Sequence, residues 1–436
     1  MPDWLAYIER QHPKSIDMGL ERVRAVATRM AIDKPAQRVI TVAGTNGKGS
    51  TVAFIEAIAR AGGWRVGAYT SPHLLAYNER VRIDGRDADD AALVAAFEAV
   101  ESVRGDTTMT YFEYGTLAAL WLFQQQPLDL VVLEVGLGGR LDATNLIDAD
   151  VAVVTTVDLD HQDYLGDDRE RIGTEKAGIA RAWKPLVIGE DDPPTSVLGH
   201  AYAIGASAIR VGCDFFFEPI DFASINDSDH NSDVQHSAAT WHWREVDYTL
   251  ALPSPRLAAP SQMRNAATAI AALRALGADF APEAYAQGVA SAEIPGRLQA
   301  FARDGVEIIV DVAHNPQAAR ELATWLCLVP TAGRTLAVFA ALGDKDVVGV
   351  ATALQENIEQ WHLAGLLDAG ERGLDADAFA RRLADTRAGE GVRHTTVVDA
   401  LRAAQAEARA GDRIVVFGSF HTAAAALLGL CANDGL

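Results

Sequence analysis

The sequence of 436 residues contains only three cysteines, Cys213, Cys327 and Cys431, and they lie far from one another. Because no C-x-x-C pair occurs, the sequence supports neither a disulfide framework nor a zinc site. Cysteine usage of this kind is typical of a protein in a reducing compartment.

Long apolar runs are also missing. The sequence has no run of about 18 apolar residues that could span a bilayer. Its first residues, MPDWLAYIERQH, lack the basic-then-apolar pattern of a signal peptide. The apolar fraction of 49% and the charged fraction of 22% are those of a globular protein. We therefore expect a cytoplasmic protein.

Basic residues are scarce relative to acidic ones. The chain has 38 lysines and arginines against 59 aspartates and glutamates, so its formal net charge is −21. Such a charge disfavours nonspecific binding to nucleic acid or to an anionic membrane, and we expect neither partner. Any anionic ligand must then be held locally, by helix N-termini, metal ions and a few well-placed cations.

The first part of the chain alternates strand-like and helix-like segments. The pattern predicts strands at Arg38–Ala43, Arg65–Tyr69, Asp129–Glu134 and Asp150–Thr155, and helices at Ser50–Ala61, Asp90–Val103, Met109–Gln126 and, later, Gln262–Leu276. Strands that alternate with helices predict an α/β fold around a mostly parallel sheet. A polar stretch at Asp221–Thr240 is typical of an exposed insertion.

A second α/β segment follows Glu293–Arg297 (EIPGR), which contains a Pro-Gly pair and which we interpret as the interdomain hinge. Its predicted strands are Glu307–Val312, Thr335–Phe339 and Arg413–Gly418, and its predicted helices are Asn315–Leu328, Asp375–Thr386 and Ala400–Ala410. The sequence thus predicts two domains, residues 1–294 and residues 297–436, of which the second is smaller and Rossmann-like.

The segment GTNGKGS, residues 44–50, lies between a predicted strand and a predicted helix. Its backbone N–H groups and the helix N-terminus can cradle an anion, Lys48 can reach the β- and γ-phosphates, and Ser50 offers a hydroxyl to Mg²⁺. The match to the generic P-loop is imperfect, because Gly44 precedes Gly47 by only three residues. The alternative is a structural glycine-rich turn, which the strand–turn–helix order disfavours.

Two polar residues follow predicted strands of the first domain. Glu134 ends a strand, where open α/β sheets place their ligands, and a carboxylate binds hard cations well. The alternative is an acidic residue that only closes the strand. His161 follows the next strand, and it could bind a metal. Taken alone, however, it is more typical of a loop histidine held by local hydrogen bonds.

Further candidates carry weaker signals when each is taken alone. Lys176, in the segment EKAG, is by itself more typical of a surface lysine that covers apolar neighbours with its methylene chain. The segments DVAHNP at 311–316 and FGSFHT at 417–422 each end a predicted strand of the second domain. Either segment could face a ligand cleft, although a structural role for the histidines His314 and His421 is the more common case.

Taken together, the motifs resemble one family. In chain order they are GTNGKGS, TSPHL, TYFEYGTLAAL, LEVGLGGRLDATN, DLDHQDYLG, EKAGI, RNAATA, PGR, DVAHNP and FGSFHT. This set is similar to that of the Mur ligase family, and within it to the bifunctional dihydrofolate synthases/folylpolyglutamate synthases. The resemblance covers nearly the whole chain, apart from residues 221–240 and 363–393.

The resemblance implies a nucleotide site and two Mg²⁺ sites. The residues implied to wrap the phosphates of ATP are Gly44, Thr45, Asn46, Gly47, Lys48, Gly49 and Ser50. Those implied to contact the rest of the nucleotide are Asn265 at the adenine and Arg297, Asp311 and His314 from the second domain. One magnesium is implied on Ser50 and Glu134, and another on His161 with help from a carbamylated Lys176.

The resemblance also implies the substrates. Phe112 and Glu113 would help form a pterin pocket, and Ser71, His314 and Ser419 would lie at the glutamate end. The implied reaction joins L-glutamate to 7,8-dihydropteroate and to tetrahydrofolates through an acyl phosphate, with Lys48, Lys176 and His314 as catalytic residues. The alternatives are a folylpolyglutamate synthase with only the second activity, a cell-wall Mur ligase and a nucleotide-binding regulator without chemistry. No sequence feature demands an oligomer, so we expect a monomer.

Overall fold

The computed structural model describes residues 1–14, 16–218, 240–256 and 259–432. The insertion predicted at 221–240 therefore lies outside the described residues, except for Thr240. The chain divides into two units, Met1–Arg256 with Gln262–Glu293 and Leu257–Ser261 with Ile294–Leu436. No helix in the described part of the chain has both the length and the apolar character that a membrane span requires.

The first unit is built on an eight-stranded sheet. Its strands are β1 (Arg38–Ala43), β2 (Val66–Tyr69), β3 (Val81–Ile83), β4 (Arg86–Asp87), β5 (Leu130–Glu134), β6 (Val151–Val154), β7 (Pro185–Ile188) and β8 (Ser207–Arg210). Their order is β4-β3-β2-β5-β1-β6-β7-β8, with the pairs from β2 to β8 parallel and the pairs β2–β3 and β3–β4 antiparallel. The loops after β5, β1 and β6 therefore meet at one edge of the sheet.

Helices cover both faces of this sheet, which explains why its central strands are continuous apolar runs. The helices are α1 (Pro2–Glu9), α2 (Glu21–Arg29), α3 (Lys48–Ala61), α4 (Asp90–Arg104), α5 (Tyr111–Gln124), α6 (Gln162–Leu165), α7 (Arg169–Ala177) and α8 (Thr195–Ile204). Two apolar clusters join helices to one face of the sheet, the first with α1, α2, α4 and α5 and the second with α7 and α8. Helix α3 contacts β1, β2 and β5, and the side chains of opposite parity, such as Ile40 and Val42, are buried as well.

A small antiparallel sheet completes the first unit. Its strands are β9 (Phe215–Glu218), β10 (Thr240–Glu245) and β11 (Tyr248–Pro253), and helices α9 (Pro260–Ala275) and α10 (Pro282–Ser291) follow. Alternation along β10 buries Trp241 and Trp243 completely on one face. The indole N–H of Trp243 donates to the carbonyl of Ala267 at 3.1 Å, and this bond ties the small sheet to α9.

The second unit holds a six-stranded sheet. Its strands are β12 (Gln299–Arg303), β13 (Val306–Val310), β14 (Thr335–Phe339), β15 (Gln360–Ala364), β16 (Val392–His394) and β17 (Arg413–Phe417), in the order β12-β13-β17-β14-β15-β16. The antiparallel edge strand is β12. Its helices are α11 (Pro316–Leu328), α12 (Val347–Leu354), α13 (Ala376–Arg382), α14 (Val397–Glu407) and α15 (Phe420–Ala432).

The predicted fold class is confirmed: both units are α/β, and their sheets are mostly parallel. Two helices differ from their predicted ranges by three residues or more at one end or at both. Helix α13 ends at Arg382 rather than Thr386, because a turn closes where Thr386 N–H donates to the carbonyl of Leu383. Helix α14 begins three residues early because Thr396 caps it, accepting a hydrogen bond from the backbone N–H of Asp399.

Candidate active site

The glycine-rich loop between β1 and α3 is shaped by close contacts with two other segments. A Cβ atom on Gly44 would lie 1.8 Å from Thr155 Oγ1, and a Cβ atom on Gly47 would lie 2.6 Å from Asn265 Oδ1. Gly47 also has a φ of +86°, which glycine adopts without strain. The loop thus needs glycine at both positions. The Gly47 contact brings the predicted nucleotide residue Asn265 to the loop, although the two are far apart in sequence.

The loop presents an anion-binding helix end. Gly47 is the N-cap of α3 and has no side chain to accept hydrogen bonds from the first N–H groups of the helix. Lys48 folds back over the loop, and its ammonium donates to the carbonyls of Gly44 at 3.0 Å and Thr45 at 3.2 Å. The helix end and the ammonium together favour a bound phosphate.

The loop after β6 supports the glycine-rich loop from beside it. Thr45 N–H donates to the carbonyl of Thr156 at 2.7 Å, and Asn46 N–H donates to Thr156 Oγ1 at 3.2 Å. The hydroxyl of Thr155 donates to the carbonyl of Asn46 at 2.6 Å. Our sequence analysis did not identify these threonines, because nothing in the local pattern shows which loops will be neighbours.

Glu134 is the last residue of β5 and is buried. Its Oε2 accepts a hydrogen bond from Ser71 N–H at 3.1 Å, and it would lie 3.6 Å from a Cβ atom on Gly49. The carboxylate therefore lies beside the first turn of α3, where Ser50 is also buried. The structure brings Ser50, Ser71 and Glu134 together next to the glycine-rich loop.

Lys176, near the end of α7, is buried rather than on the surface. The pKa of its ammonium is lowered to about 7, mainly by burial and also by the positive charge of Lys48, while Asp160 acts in the opposite direction. Within the described residues, the Lys176 side chain makes no hydrogen bond or ion pair. A large share of this amine is therefore neutral near pH 7, which is unusual for lysine.

His161 begins α6 and has a left-handed backbone, with a φ of +51°. Its Nε2 lies 3.9 Å from an Oδ atom of Asp160, so an acidic neighbour faces the ring. Within the described residues, no group of three or more histidine, cysteine, aspartate or glutamate side chains is arranged as a metal site. Mg²⁺ does not require such a group, because it commonly binds through one or two carboxylates and completes its coordination with water and phosphate oxygens.

Asp142 organises the loop that follows Glu134. Its buried carboxylate accepts hydrogen bonds from the N–H groups of Gly136, Leu137 and Thr144 and from the Thr144 hydroxyl, at 2.6 to 3.0 Å. Burial raises the pKa of this carboxyl above its ordinary value. We did not single out Asp142 from the sequence, although an aspartate two residues before a threonine is a local capping signal.

Phe112 and Glu113 lie at the start of α5 but face different partners. The Phe112 ring packs against the loop after Glu134, because a Cβ atom on Gly136 would lie 2.7 Å from it. Its centroid is 5.8 Å from that of Tyr69. Glu113 is buried and closes a capping box with Thr110. Both its carboxylate oxygens also face the Arg22 guanidinium, so Glu113 is already engaged within the protein.

The predicted residues of the second unit gather around Phe420, at the carboxyl edge of the six-stranded sheet. The Phe420 ring lies 6.2 Å from the His314 ring and 5.3 Å from the Arg297 guanidinium carbon. Asp311 accepts hydrogen bonds from the N–H groups of Leu298 at 2.9 Å and Ala313 at 2.8 Å. The structure thus brings Arg297, Asp311 and His314 close to one another.

Ser419, which precedes Phe420, is buried and bonded to Thr422. The Thr422 hydroxyl donates to the carbonyl of Ala340 at 2.6 Å, so the 2.7 Å contact between the two hydroxyls must use the Ser419 hydrogen. The Ser419 oxygen also accepts from Thr422 N–H at 3.0 Å. In this arrangement Ser419 can accept a further hydrogen bond but has no hydrogen left to donate.

Comparisons with known proteins agree with this geometry. Residues 42–273 match the Mur ligase middle domain, and residues 296–420 match the Mur ligase glutamate ligase domain. A dihydrofolate synthase/folylpolyglutamate synthase of Escherichia coli (strain K12) is 46% identical over 425 residues, which cover 97% of this chain and 94% of that protein.

Solved structures are similar over the whole length. The structure of E. coli FolC in complex with DHPP and ADP superposes with a TM-score of 0.90 at 45% identity, and the match covers 99% of this chain and 98% of that one. A bifunctional folylpolyglutamate synthase/dihydrofolate synthase with Mn, AMPPNP and L-glutamate bound gives a TM-score of 0.87 at 43% identity, with the same coverage. The chain therefore belongs to the Mur ligase family and, within it, to the dihydrofolate synthases/folylpolyglutamate synthases.

Proposed function

We propose that this protein is an ATP- and Mg²⁺-dependent ligase with two activities. It joins L-glutamate to 7,8-dihydropteroate, which gives dihydrofolate, and it extends tetrahydrofolates with further glutamates. In both reactions a carboxylate takes the γ-phosphoryl group of ATP, and the glutamate amine then displaces phosphate from the acyl phosphate. The observation that carries the proposal is the position of the Glu134 carboxylate beside the glycine-rich loop, with Lys48 and Lys176 close by.

The residues of this region fit a nucleotide and a magnesium ion. The α3 N-terminus, uncapped by any side chain, and the Lys48 ammonium provide donors for phosphate oxygens. The Glu134 carboxylate and the Ser50 hydroxyl provide oxygen ligands on the adjoining side. When bound, Mg²⁺ neutralises charge on the transferred phosphoryl group. The chain itself positions the reactants and excludes water.

We assign a carbamate to Lys176, which would then help His161 to hold a second magnesium ion. Support comes from the pKa of about 7, because only a neutral amine attacks carbon dioxide. In that step the lysine nitrogen forms a bond to carbon, one proton is released, and an anionic carboxylate results. The product replaces the repulsion between Lys48 and Lys176 with an attraction, and it supplies oxygen ligands where metal binding needs them.

His314 is our candidate for the group that accepts a proton from the glutamate amine. Its Nδ1 lies 3.1 Å from the carbonyl of Val312, which can only accept a hydrogen bond, so Nδ1 carries the hydrogen. In the neutral ring Nε2 is then the basic nitrogen. Arg297 and Asp311 are our candidates for contacts with the nucleotide. They belong to the proposed glutamate ligase domain, residues 297–436, and the proposed ATP-binding domain comprises residues 1–294.

The folate ring would lie against Phe112. Exposed large apolar side chains also follow β2 and β6, since Leu75, Leu159 and Tyr164 are between 40% and 49% exposed, and such side chains could contact an aromatic ligand. Ser71 and Ser419 are our candidates at the glutamate end, where Ser419 can act only as a hydrogen-bond acceptor. We propose that the enzyme works as a monomer, which light scattering after size-exclusion chromatography will test.

The decisive experiment measures ADP release by the purified protein with ATP, Mg²⁺ and L-glutamate. Dihydropteroate and tetrahydrofolate are offered in separate reactions. Turnover with both substrates supports the bifunctional enzyme, and turnover with tetrahydrofolate alone indicates a folylpolyglutamate synthase only. A folded protein that turns over neither substrate would refute the proposal and favour a nucleotide-binding regulator.

Two variants test which residues stabilise the charge on the transferred phosphoryl group. Lys48→Ala and Glu134→Ala are expected to fold and to lose ligation by at least about 10²-fold, because each removes a group that stabilises charge on the transferred phosphoryl. Lys184→Ala is the matched control, since this exposed lysine only pairs with Asp150 at 3.2 Å. Full activity in either of the first two variants would contradict the assigned role.

A further inference from the structure

One arginine joins the N-terminal segment to the start of α5. Arg22 Nε donates to Glu113 Oε2 at 3.0 Å, and Arg22 Nη2 lies 2.9 Å from Glu113 Oε1. The same guanidinium pairs with the carboxylate of Asp17 and donates to its backbone carbonyl. A single planar group thus holds two segments that are about 90 residues apart in the chain.

Each partner of Arg22 is adjacent in sequence to an apolar residue whose side chain contacts the loop after Glu134. Met18 follows Asp17, and its methyl carbon would lie 3.6 Å from a Cβ atom on Gly138. Phe112 precedes Glu113, and its ring would lie 2.7 Å from a Cβ atom on Gly136. The two side chains therefore contact the same loop two residues apart, just beyond the proposed magnesium ligand.

The arginine cannot be exchanged for another cation without loss. Glu113 is 4% exposed, and its Oε2 also accepts hydrogen bonds from the N–H and the hydroxyl of Thr110. A guanidinium serves two carboxylates at once because its donors form a rigid planar fork, whereas a lysine ammonium is a point charge. A lysine at position 22 would therefore keep the charge but release one of the two segments.

We propose that Arg22 is a positioning residue that fixes Met18 and Phe112 as two walls of the folate-ring pocket. This inference rests on the proposed function. It also changes the role of Glu113, which holds Arg22 through its carboxylate and does not contact the pterin. Arg22 touches no substrate, so its loss is expected to change the affinity for the folate ring and not the chemical step.

The test is the steady-state kinetics of the full-length Arg22→Lys enzyme with dihydropteroate, ATP and L-glutamate varied in turn. The KM for dihydropteroate is expected to rise about tenfold, the effect of losing one charge-assisted hydrogen bond. The KM values for ATP and glutamate and the kcat should stay within about twofold to threefold, because no group on the phosphates or the reacting carboxylate changes.

The matched control is Arg274→Lys. Arg274 also engages one glutamate through two nitrogens, since its Nε at 2.8 Å and its Nη2 at 2.6 Å both donate to Glu245 Oε1, and it joins α9 to β10. If forked arginines act only on stability, both variants will lower the unfolding temperature and leave every KM unchanged. That result, or a KM for dihydropteroate within twofold of wild type in Arg22→Lys, would overturn the proposal.

A second variant decides the question if Arg22→Lys does not fold. Glu113→Gln keeps an oxygen for the Thr110 N–H but removes the charge that holds Arg22. It is expected to raise the KM for dihydropteroate in the same direction, and an unchanged KM would again refute the inference. A wild-type enzyme that ligates neither folate would refute the proposed function instead, so the two failures are distinguishable.

Discussion

The carboxyl edges of the two sheets hold their polar residues in different ways. At the edge of the eight-stranded sheet, the buried Lys176 is near enough to Lys48 for one positive charge to lower the pKa of the other. At the edge of the six-stranded sheet, Asp311 and Thr422 are engaged by neighbouring backbone groups. At the first edge two lysines lie close enough to repel each other, and at the second edge the hydrogen bonds of Asp311 and Thr422 are made within the protein.

Buried charges and satisfied hydrogen bonds have different consequences for binding and for stability. An uncompensated buried charge costs free energy in the protein alone, and a ligand of opposite sign recovers that cost on binding. Satisfied hydrogen bonds instead fix the loops that carry them. Substitutions of the lysines at the first edge should therefore change rates and binding constants, and substitutions of groups bonded within the protein, such as Thr422, should change stability.

The largest effect is expected for Lys176→Ala. We predict a loss of about 10²- to 10³-fold in kcat, the size seen when one charge-stabilising group is removed from an active site. The wild-type enzyme in buffer freed of carbon dioxide should lose activity and regain it with bicarbonate. This dependence should grow as the pH falls below about 7, because protonation removes the reactive amine. Bicarbonate-independent activity would refute the carbamate, and Lys184→Ala is the control lysine.

Gly47→Ala should have the next largest effect. The added Cβ meets Asn265 Oδ1 at 2.6 Å and imposes a φ of +86° on alanine, so we expect the KM for ATP to rise about tenfold or more. Gly63→Ala is the matched control, because Gly63 has a similar φ of +85° and a Cβ atom there would have no atom within 4 Å. It should cost about 1 kcal/mol of stability and leave the KM for ATP unchanged. Equal effects in both variants would mean that the loop is not the nucleotide site.

Thr422→Val tests the second edge. The valine leaves the Ala340 carbonyl and the Ser419 hydroxyl without their partner, so the free energy of unfolding should fall by about 1–3 kcal/mol. Thr422→Ser keeps the hydroxyl and should lose much less. Denaturant unfolding measures both variants. An unfolding free energy unchanged in Thr422→Val would show that the hydrogen bonds at this edge do not stabilise it.

The smallest effect concerns the pH dependence of stability in the second unit. His362 Nδ1 and His394 Nε2 are 3.1 Å apart, and burial is the main cause that lowers the pKa of both rings. Below pH 6.5 the unfolded chain therefore binds protons that the folded chain excludes. Stability should be full above that pH and decline as the pH falls.

Thermal unfolding between pH 7.5 and pH 5 measures this decline. The slope should be smaller in His394→Gln, which removes one of the two titrating rings. His200→Gln, a change on α8 of the first unit, should leave the slope as it is. A steeper slope in His394→Gln than in wild type would contradict the proposed origin of the pH dependence.

The sequence was sufficient to predict the central strands of the two large sheets and the positions of the chemical motifs. Runs such as Arg38–Ala43 and Leu130–Glu134 are buried on both faces, and this burial requires the apolar residues that make such strands recognisable. The ends of α13 and α14 were not predicted correctly, because a turn at Thr386 and a cap at Thr396 decide them. Such short-range hydrogen bonds leave weak signals in a single sequence.

The burial of Lys176 and the ion pair of Glu113 could not be predicted from the sequence, for a different reason. A lysine in EKAG is usually a surface residue, but α7 packs so closely on the Glu134 loop that a Cβ atom on Gly139 would lie 2.9 Å from the carbonyl of Glu175. Glu113 stands in a segment typical of a substrate pocket, yet Arg22 and Thr110 engage its carboxylate. The burial of Lys176 and the ion pair between Arg22 and Glu113 both depend on segments that are distant in the chain.

The sequence by itself thus determined the fold class, the family and the residue types available for chemistry, because periodicity and motif spacing are local properties. Only the tertiary structure decided which of those residues became chemically unusual. Burial, a second charge nearby and the packing of one loop on another set the pKa of Lys176 and the contact of Gly47 with Asn265. Burial, charge proximity and loop packing depend on contacts between segments that are distant in the chain, and these contacts form only when the chain folds.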